Sequence, residues 1–246
     1  MPTVIWYRAA VLMRLAFVAL VLTGTTALAQ ECPIPDGANP KLARVDDAAR
    51  LDYLRDALMH DSRNATVWRW GWVTGFALAT AAELGLSQAV EPNGRVDFYV
   101  GAGATALAMV PLLALPLKVE YDGPAFALKP VEAGNTCALI KEGEQLAVMD
   151  SVNEAAGTGW LMQVINVIYN AVTASILGFG YHHWTSAIAT GVGGLVAGEA
   201  MILTQPTHLS EAWRTYQTGQ LKPEIPGVTL RFGFMPGGGI ALNGTF

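Results

Sequence analysis

The residues of this chain that could do chemistry are polar side chains inside long apolar stretches. Glu83 and Glu199 each stand in one such stretch, and Gln163, Asn166 and Asn170 recur in another at spacings of three and four residues. This spacing places the three amides on one face of a helix. Polar residues are costly inside a bilayer, so each of the five is a candidate functional residue.

One polar cluster is predicted to form between these helices. Glu199 is expected at about the same depth as Gln163 and Asn166, and Arg69 opens the first apolar stretch at a similar level. Such a cluster could bind a small molecule or an ion, or it could hold the helices together through interhelical hydrogen bonds. Its predicted members are Arg69, Gln163, Asn166, Asn170 and Glu199.

A second candidate group combines Glu83 with His182 and His183, which are expected near the same membrane surface. A carboxylate beside two imidazoles could relay protons or bind a metal ion. Adjacent histidines are also ordinary in an interfacial loop, and no further ligand follows at a usual metal spacing. The sequence therefore predicts no metal site.

No pattern typical of an enzyme accompanies these residues. The segment from Gly101 to Ala106 matches a dinucleotide-binding fingerprint, but Pro111 and Pro116 interrupt the helix that such a site needs. No catalytic triad, nucleophile elbow or phosphate loop is present. We therefore predict no catalytic residue, no cofactor and no enzymatic activity.

The elements that must position these residues are membrane helices. Hydrophobic residues make up 52% of the 246 residues and charged ones 14%, against roughly 25% charged in an ordinary soluble domain. Stretches near 70–90, 98–117, 160–179 and 184–203 each have the length of about 20 residues that a bilayer requires. Short turns join them in pairs. The predicted fold is all-α: a four-helix transmembrane bundle of two helical hairpins, amphipathic surface helices and a short C-terminal β-hairpin.

The chain divides into six predicted segments. Basic residues, an apolar run and the small residues around Ala29 are typical of a cleavable signal peptide, with a retained anchor as the alternative. Capping residues from Ser62 to Thr66 predict that the first membrane helix begins near Trp68. The segments are a signal peptide at 1–29, an exported amphipathic segment at 30–66, a hairpin at 67–117, an exported loop with a helix near 138–155 at 118–159, a second hairpin at 160–205, and an exported helix and β-hairpin at 206–246.

Export and an even number of spans predict that both mature ends lie on the exported side. The charges disagree, because Arg95 would be the only basic residue in an inner loop. The inner loops could be too short to carry charge, the hairpins could be buried in protein, or the chain could end in the outer membrane. The apolar stretches exceed the 9 to 11 residues, roughly, of a barrel strand, so we predict the inner membrane of a bacterial cell envelope.

Partners are predicted from small residues, cysteines and charge. Gly191, Gly194 and Gly198 allow close helix approach, either within the chain or in a homo-oligomer. Cys32 and Cys137 are expected on the exported side, where a disulfide would form, with two unpaired thiols as the alternative. The net charge of −5 carries no basic run, which excludes nucleic acid and leaves membrane lipid and other envelope proteins.

The sequence also resembles a family of exported, uncharacterised membrane proteins of Gram-negative bacteria. That resemblance rests on residues 68–72, residues 198–207, Trp213 with Tyr216, and residues 236–238 before Phe246. It implies a membrane fold and carries no assigned activity. We predict a structural or assembly component of the envelope, with small-molecule or ion binding or transport through the polar cluster as the alternative.

Overall fold

The computed structural model describes residues 32–221 and the strands Thr229–Met235 and Gly239–Thr245. The predicted signal peptide at 1–29 lies outside the described residues, and its cleavage stays a prediction. Residues 33–221 are almost entirely helical. The helices are α1 (Asp47–Leu86), α2 (Arg95–Ala114), α3 (Val119–Ala127), α4 (Thr136–Gly157), α5 (Trp160–Ser175), α6 (Trp184–Leu203) and α7 (His208–Thr218), with 3-10 turns at Pro40–Arg44 and Pro92–Gly94 and a π-helical turn at Ile176–Gly180.

Three helical stretches, where four spans were predicted, are long and apolar enough to cross a membrane among the described residues. They are Pro92–Ala127, Thr136–Gly180 and Trp184–Thr218. Only 17% to 22% of the residues in their most apolar windows are buried within the protein. The outer surfaces of these stretches carry exposed apolar side chains such as Leu107, Ile168 and Ile188. Large apolar surfaces turned outward match a lipid environment.

Most of the first predicted span, 70–90, lies in the second half of the single 40-residue helix α1, which ends at Leu86. The predicted start at Trp68 is wrong because the supposed capping side chains bond elsewhere. The Thr66 hydroxyl donates to the carbonyl of Ser62, and the Ser62 hydroxyl donates to the carbonyl of Glu120. Such bonds within or between helices leave the helix uninterrupted. Because the predicted orientation required an even number of spans, it stays a prediction.

One helix, α3, was not predicted, since Pro124 and Pro130 suggested an irregular loop. Pro124 lies inside α3, and Gly123 brings this helix against α1. A Cβ added at Gly123 would lie 2.5 Å from the backbone oxygen of Leu58. The contact of α3 with α1 therefore depends on a residue without a side chain.

A polar helical domain surrounds this contact. It consists of residues 47–66 of α1 together with α3, α4 and α7, and we refer to it as the polar domain. The helix predicted near 138–155 corresponds to α4, and the short helix predicted around Trp213 and Tyr216 to α7. The core is formed by fully buried apolar side chains: Leu54, Leu58, Phe126, Ile140 and Leu209. This domain therefore has a buried apolar core, whereas α2, α5 and α6, which supply the other parts of the three membrane-length stretches, leave most of their large apolar side chains exposed.

The C-terminal strands Thr229–Met235 and Gly239–Thr245 pair antiparallel, with Phe232 opposite Leu242. Of this segment the structure describes only the backbone of the two strands. The β-hairpin as a stable part of the fold stays a prediction.

Candidate functional site

The side-chain amides of α5 occupy notches in the surface of α6, which are the spaces that its glycines leave by having no side chain. A Cβ added at Gly194 would lie 1.9 Å from Asn170 Oδ1, and one at Gly198 would lie 2.0 Å from Asn166 Oδ1. The Asn170 amide donates to Asn166 Oδ1 at 2.8 Å, and the Asn166 amide donates to Glu199 Oε2 at 3.4 Å. Three members of the predicted cluster, Asn166, Asn170 and Glu199, therefore come together at a close helix crossing.

Gly191, the third glycine of the predicted interface, also faces α5. A Cβ added there would lie 3.0 Å from the Cβ of Ala174. Contacts within the chain therefore occupy all three glycines predicted as an oligomer surface. A homo-oligomer through them stays a prediction.

Arg69 does not join this cluster. Its guanidinium forms a 2.7 Å ion pair with Glu120, the second residue of α3. Trp68 and Trp72, one turn apart, donate instead to Met201 and Thr204 at the end of α6. Neighbouring positions on a helix point about 100° apart, so Arg69 faces α3 while the two indoles face α6. Gln163 lies half-buried on α5, one turn before Asn166.

The second predicted group is divided between two places. Glu83 accepts a hydrogen bond from the Thr105 hydroxyl at 3.1 Å and packs against Gly101 of α2. His183 bonds instead to Asp97, which also accepts a 2.6 Å bond from Ser186. His182 is exposed in the turn before α6, with a φ of 61°.

The Asp97, His183 and Ser186 group is not arranged for nucleophilic catalysis. In a catalytic triad the serine hydroxyl bonds to the histidine, whereas here Ser186 donates to the aspartate. The contact ties the start of α2 to the start of α6. Asp97 was not singled out from the sequence because it is 86 residues from His183.

A buried ion-pair network holds the polar domain together. Arg50 is 1% exposed and donates to Glu144 at 2.9 Å and to the carbonyl of Pro33 at 2.9 Å. Tyr216 also contacts both Arg50 and Glu144. Burial raises the pKa of Tyr216, and the hydrogen bond to Glu144 raises it further. This network joins α1, α4 and α7, and each of its charged groups has a partner of opposite charge, which is typical of a structural ion pair.

A different arrangement lies nearby, where three buried carboxylates meet without matching charges. Asp61, Asp150 and Glu154 are each 1% exposed. Both oxygens of Asp61 and of Asp150, and Oε1 of Glu154, are buried and have no hydrogen-bond partner among the described residues. Among the described residues, the one cation that pairs with any of them is the ammonium of Lys118, 3.9 Å from Asp150. Buried charges of one sign are costly, so this acidic cluster is the strongest functional candidate in the described chain.

Protonation relieves the acidic cluster. Burial raises the pKa of Asp150 to about 7, and the nearby Asp122 raises it as well. Burial also raises the pKa of Glu154, and its contact with the Asp61 carboxyl acts in the same direction. No sequence pattern points to this cluster, because Asp61 lies on α1 whereas Asp150 and Glu154 lie on α4.

Both cysteines, Cys32 and Cys137, are disulfide-bonded, and the sequence contains only these two. We expect that the native protein takes up no thiol reagent when denatured without a reductant, and takes up two equivalents after reduction. Mass spectrometry of the alkylated chain measures this. Two labels without reduction would contradict it.

Replacing Arg69 with glutamine is expected to lower the free energy of unfolding by about 2 to 3 kcal/mol. The side chain of Glu120 is 3% exposed and would lose its charge partner in a buried position, while the 13% exposure of Arg69 limits the loss. Denaturant titration in detergent measures the change. The matched control is Arg63→Gln at an exposed position of the same helix, where a change within about 0.5 kcal/mol is expected.

In its described residues, the geometry defines a helical protein with three membrane-length helical stretches, parts of which belong to a polar domain. No family model, curated protein or solved structure matches the chain. The resemblance to exported Gram-negative membrane proteins therefore stays a prediction.

Proposed function

We propose that this protein is a non-enzymatic structural or assembly component of a bacterial cell envelope. The inner membrane would anchor it through the apolar helices, and the polar domain would stand on the exported side and contact other envelope proteins. The observation that carries this proposal is the use of the intramembrane amides as packing groups: Asn166 and Asn170 fill the notches at Gly198 and Gly194.

A second candidate function is the binding or transport of a small molecule or an ion by the same polar residues. The 3.4 Å contact between Asn166 and Glu199 supports it, because a carboxylate within a membrane helix is a common element of an ion pathway. The two proposals differ in what the amides and Glu199 do, which makes them separable by experiment.

The test reconstitutes the purified full-length protein into liposomes and measures the flux of protons and of monovalent cations. A structural component gives the flux of empty liposomes, and cross-linking in intact cells places it in a complex of fixed size. Flux that is lost in Glu199→Gln, with the folded protein recovered in unchanged yield, would support the second candidate and overturn the first. Glu211→Gln, on the surface of α7, is the control.

A further inference from the structure

The junction between the polar domain and the apolar helices contains the acidic cluster. Glu154 lies three residues before the end of α4, and α5 begins soon after, at Trp160. The Gln205 amide, just beyond α6, donates to the backbone oxygen of Glu154 at 3.1 Å. A Cβ added at Gly157 would lie 2.4 Å from that amide. The chain thus enters and leaves the second apolar hairpin beside Glu154.

Inside this junction the carboxyl group of Asp61 lies close enough to that of Glu154 to raise its pKa. Oε2 of Glu154 accepts hydrogen bonds from the backbone N–H and the hydroxyl of Ser210, at 3.3 and 3.4 Å. Oε1 of Glu154 and both oxygens of Asp61 receive no hydrogen bond from the part of the chain that the structure describes. Two ionised carboxylates cannot bond to each other, whereas one neutral acid donates its O–H to the other.

We propose that Asp61 and Glu154 are an acid pair that holds one shared proton, and that losing this proton loosens the junction between the polar domain and the second apolar hairpin. While the proton is present, one O–H···O bond joins α1 to α4. When it leaves to solvent, two negative charges face each other in a dry contact, and their repulsion separates α1 from the α4 and α5 connection.

The other groups around the pair do not supply the missing positive charge. Asp150 lies one helical turn before Glu154, and Asp122 of α3 is nearby; both are acidic. In the described part of the chain, the ammonium that pairs with these acids is that of Lys118, which bonds to Asp122 and lies 3.9 Å from Asp150. His60 and His208 pack against each other with ring centroids 5.9 Å apart. From α7 the pair itself receives only the neutral donors of Ser210.

A proton suits this pair better than a metal ion does. The donors of Ser210 point their hydrogens at Oε2 of Glu154, where a cation would meet them. On the side of Asp150 the Lys118 ammonium already supplies a positive charge. A divalent cation would need about six oxygen ligands, whereas a proton needs only the two facing oxygens.

The direct test is infrared spectroscopy of the full-length protein in detergent at about pH 8.5, roughly 1.5 units above the pKa of Asp150, so that this group is ionised. The native chain is expected to show the C=O stretch of one buried neutral carboxyl group. The band should vanish in Glu154→Gln and in Asp61→Asn, since an amide can then donate to the remaining carboxylate. Asp56→Asn, at an exposed site on the same helix, should retain it.

The linked measurement is thermal unfolding between about pH 6 and pH 9. A carboxyl group whose pKa is raised by folding stabilises the protein fully at a pH below its pKa in the unfolded chain. This contribution is lost as the pH rises through its pKa in the folded protein. The native melting temperature should fall by roughly 3 to 5 °C for each pH unit, and in both pair variants by less than half as much.

Two results would overturn the proposal. One is the absence of a neutral carboxyl band at about pH 8.5, or its persistence in both pair variants. The other is a melting temperature that rises with added Ca²⁺, falls with a chelator and does not change with pH. Neither outcome depends on whether the protein contacts other envelope proteins.

Discussion

Replacing Arg50 with methionine is expected to lower the free energy of unfolding by about 3 to 5 kcal/mol. The substitution keeps much of the side-chain volume but leaves the Glu144 carboxylate inside the polar domain without the guanidinium it faces at 2.9 Å. Denaturant titration of the purified protein, followed by tryptophan fluorescence, measures the loss. Trp213 in α7 stacks on Tyr216 and should report it.

Two controls separate the lost charge pair from a general effect of the substitution. Arg44→Met removes an exposed arginine from the same region and should change stability by no more than about 0.5 kcal/mol. The double variant Arg50→Met with Glu144→Gln removes both charges and should recover part of the loss, since no buried charge is left unpaired. An Arg50→Met protein within about 1 kcal/mol of the native chain would contradict the structural role of this network.

Adding side chains at Gly194 and Gly198 together is expected to destabilise the α5 and α6 hairpin by about 3 kcal/mol or more. Valine at either position would overlap an amide oxygen placed about 2 Å from the new Cβ. Asn166 and Asn170 would have to move and would lose their bonds to Glu199 and to each other. Unfolding by sodium dodecyl sulfate in mixed micelles measures the change.

The matched control is Gly193→Val, on the same helix. A Cβ at Gly193 would meet no described atom within 4 Å, so valine there should leave the unfolding transition in place. Equal losses for the control and for the Gly194→Val, Gly198→Val protein would mean that valine itself disturbs the helix. Unchanged stability in both would show that the amides do not fill these notches.

The apolar helices could be predicted because their signal is local. The fourth stretch was predicted at 184–203 and forms α6 at Trp184–Leu203. The boundary inside α1 could not be found, because Ser62 and Thr66 have the residue types of a helix start but use their hydroxyls for bonds to Glu120 and within α1. Side-chain type does not reveal which of two bonds a hydroxyl makes.

The site was harder to predict than the helices because it depends on distant contacts. The spacing of Asn166 and Asn170 correctly placed them on one face, since both are on one helix. Arg69 was assigned to their cluster by depth alone, and its rotation around α1 carries it to Glu120 instead. Asp61 and Glu154 are 93 residues apart, on α1 and α4, and no periodic pattern links them.

The central claim is that lipid surrounds the exposed apolar side chains. Ile168 and Ile188 are 58% and 65% exposed on α5 and α6. A spin label at either site, in the full-length protein in bilayers, should collide with dissolved oxygen and be protected from a water-soluble nickel complex. A label at the exposed Asp56 should behave in the opposite way. Equal access of the nickel complex to all three sites would contradict the membrane account.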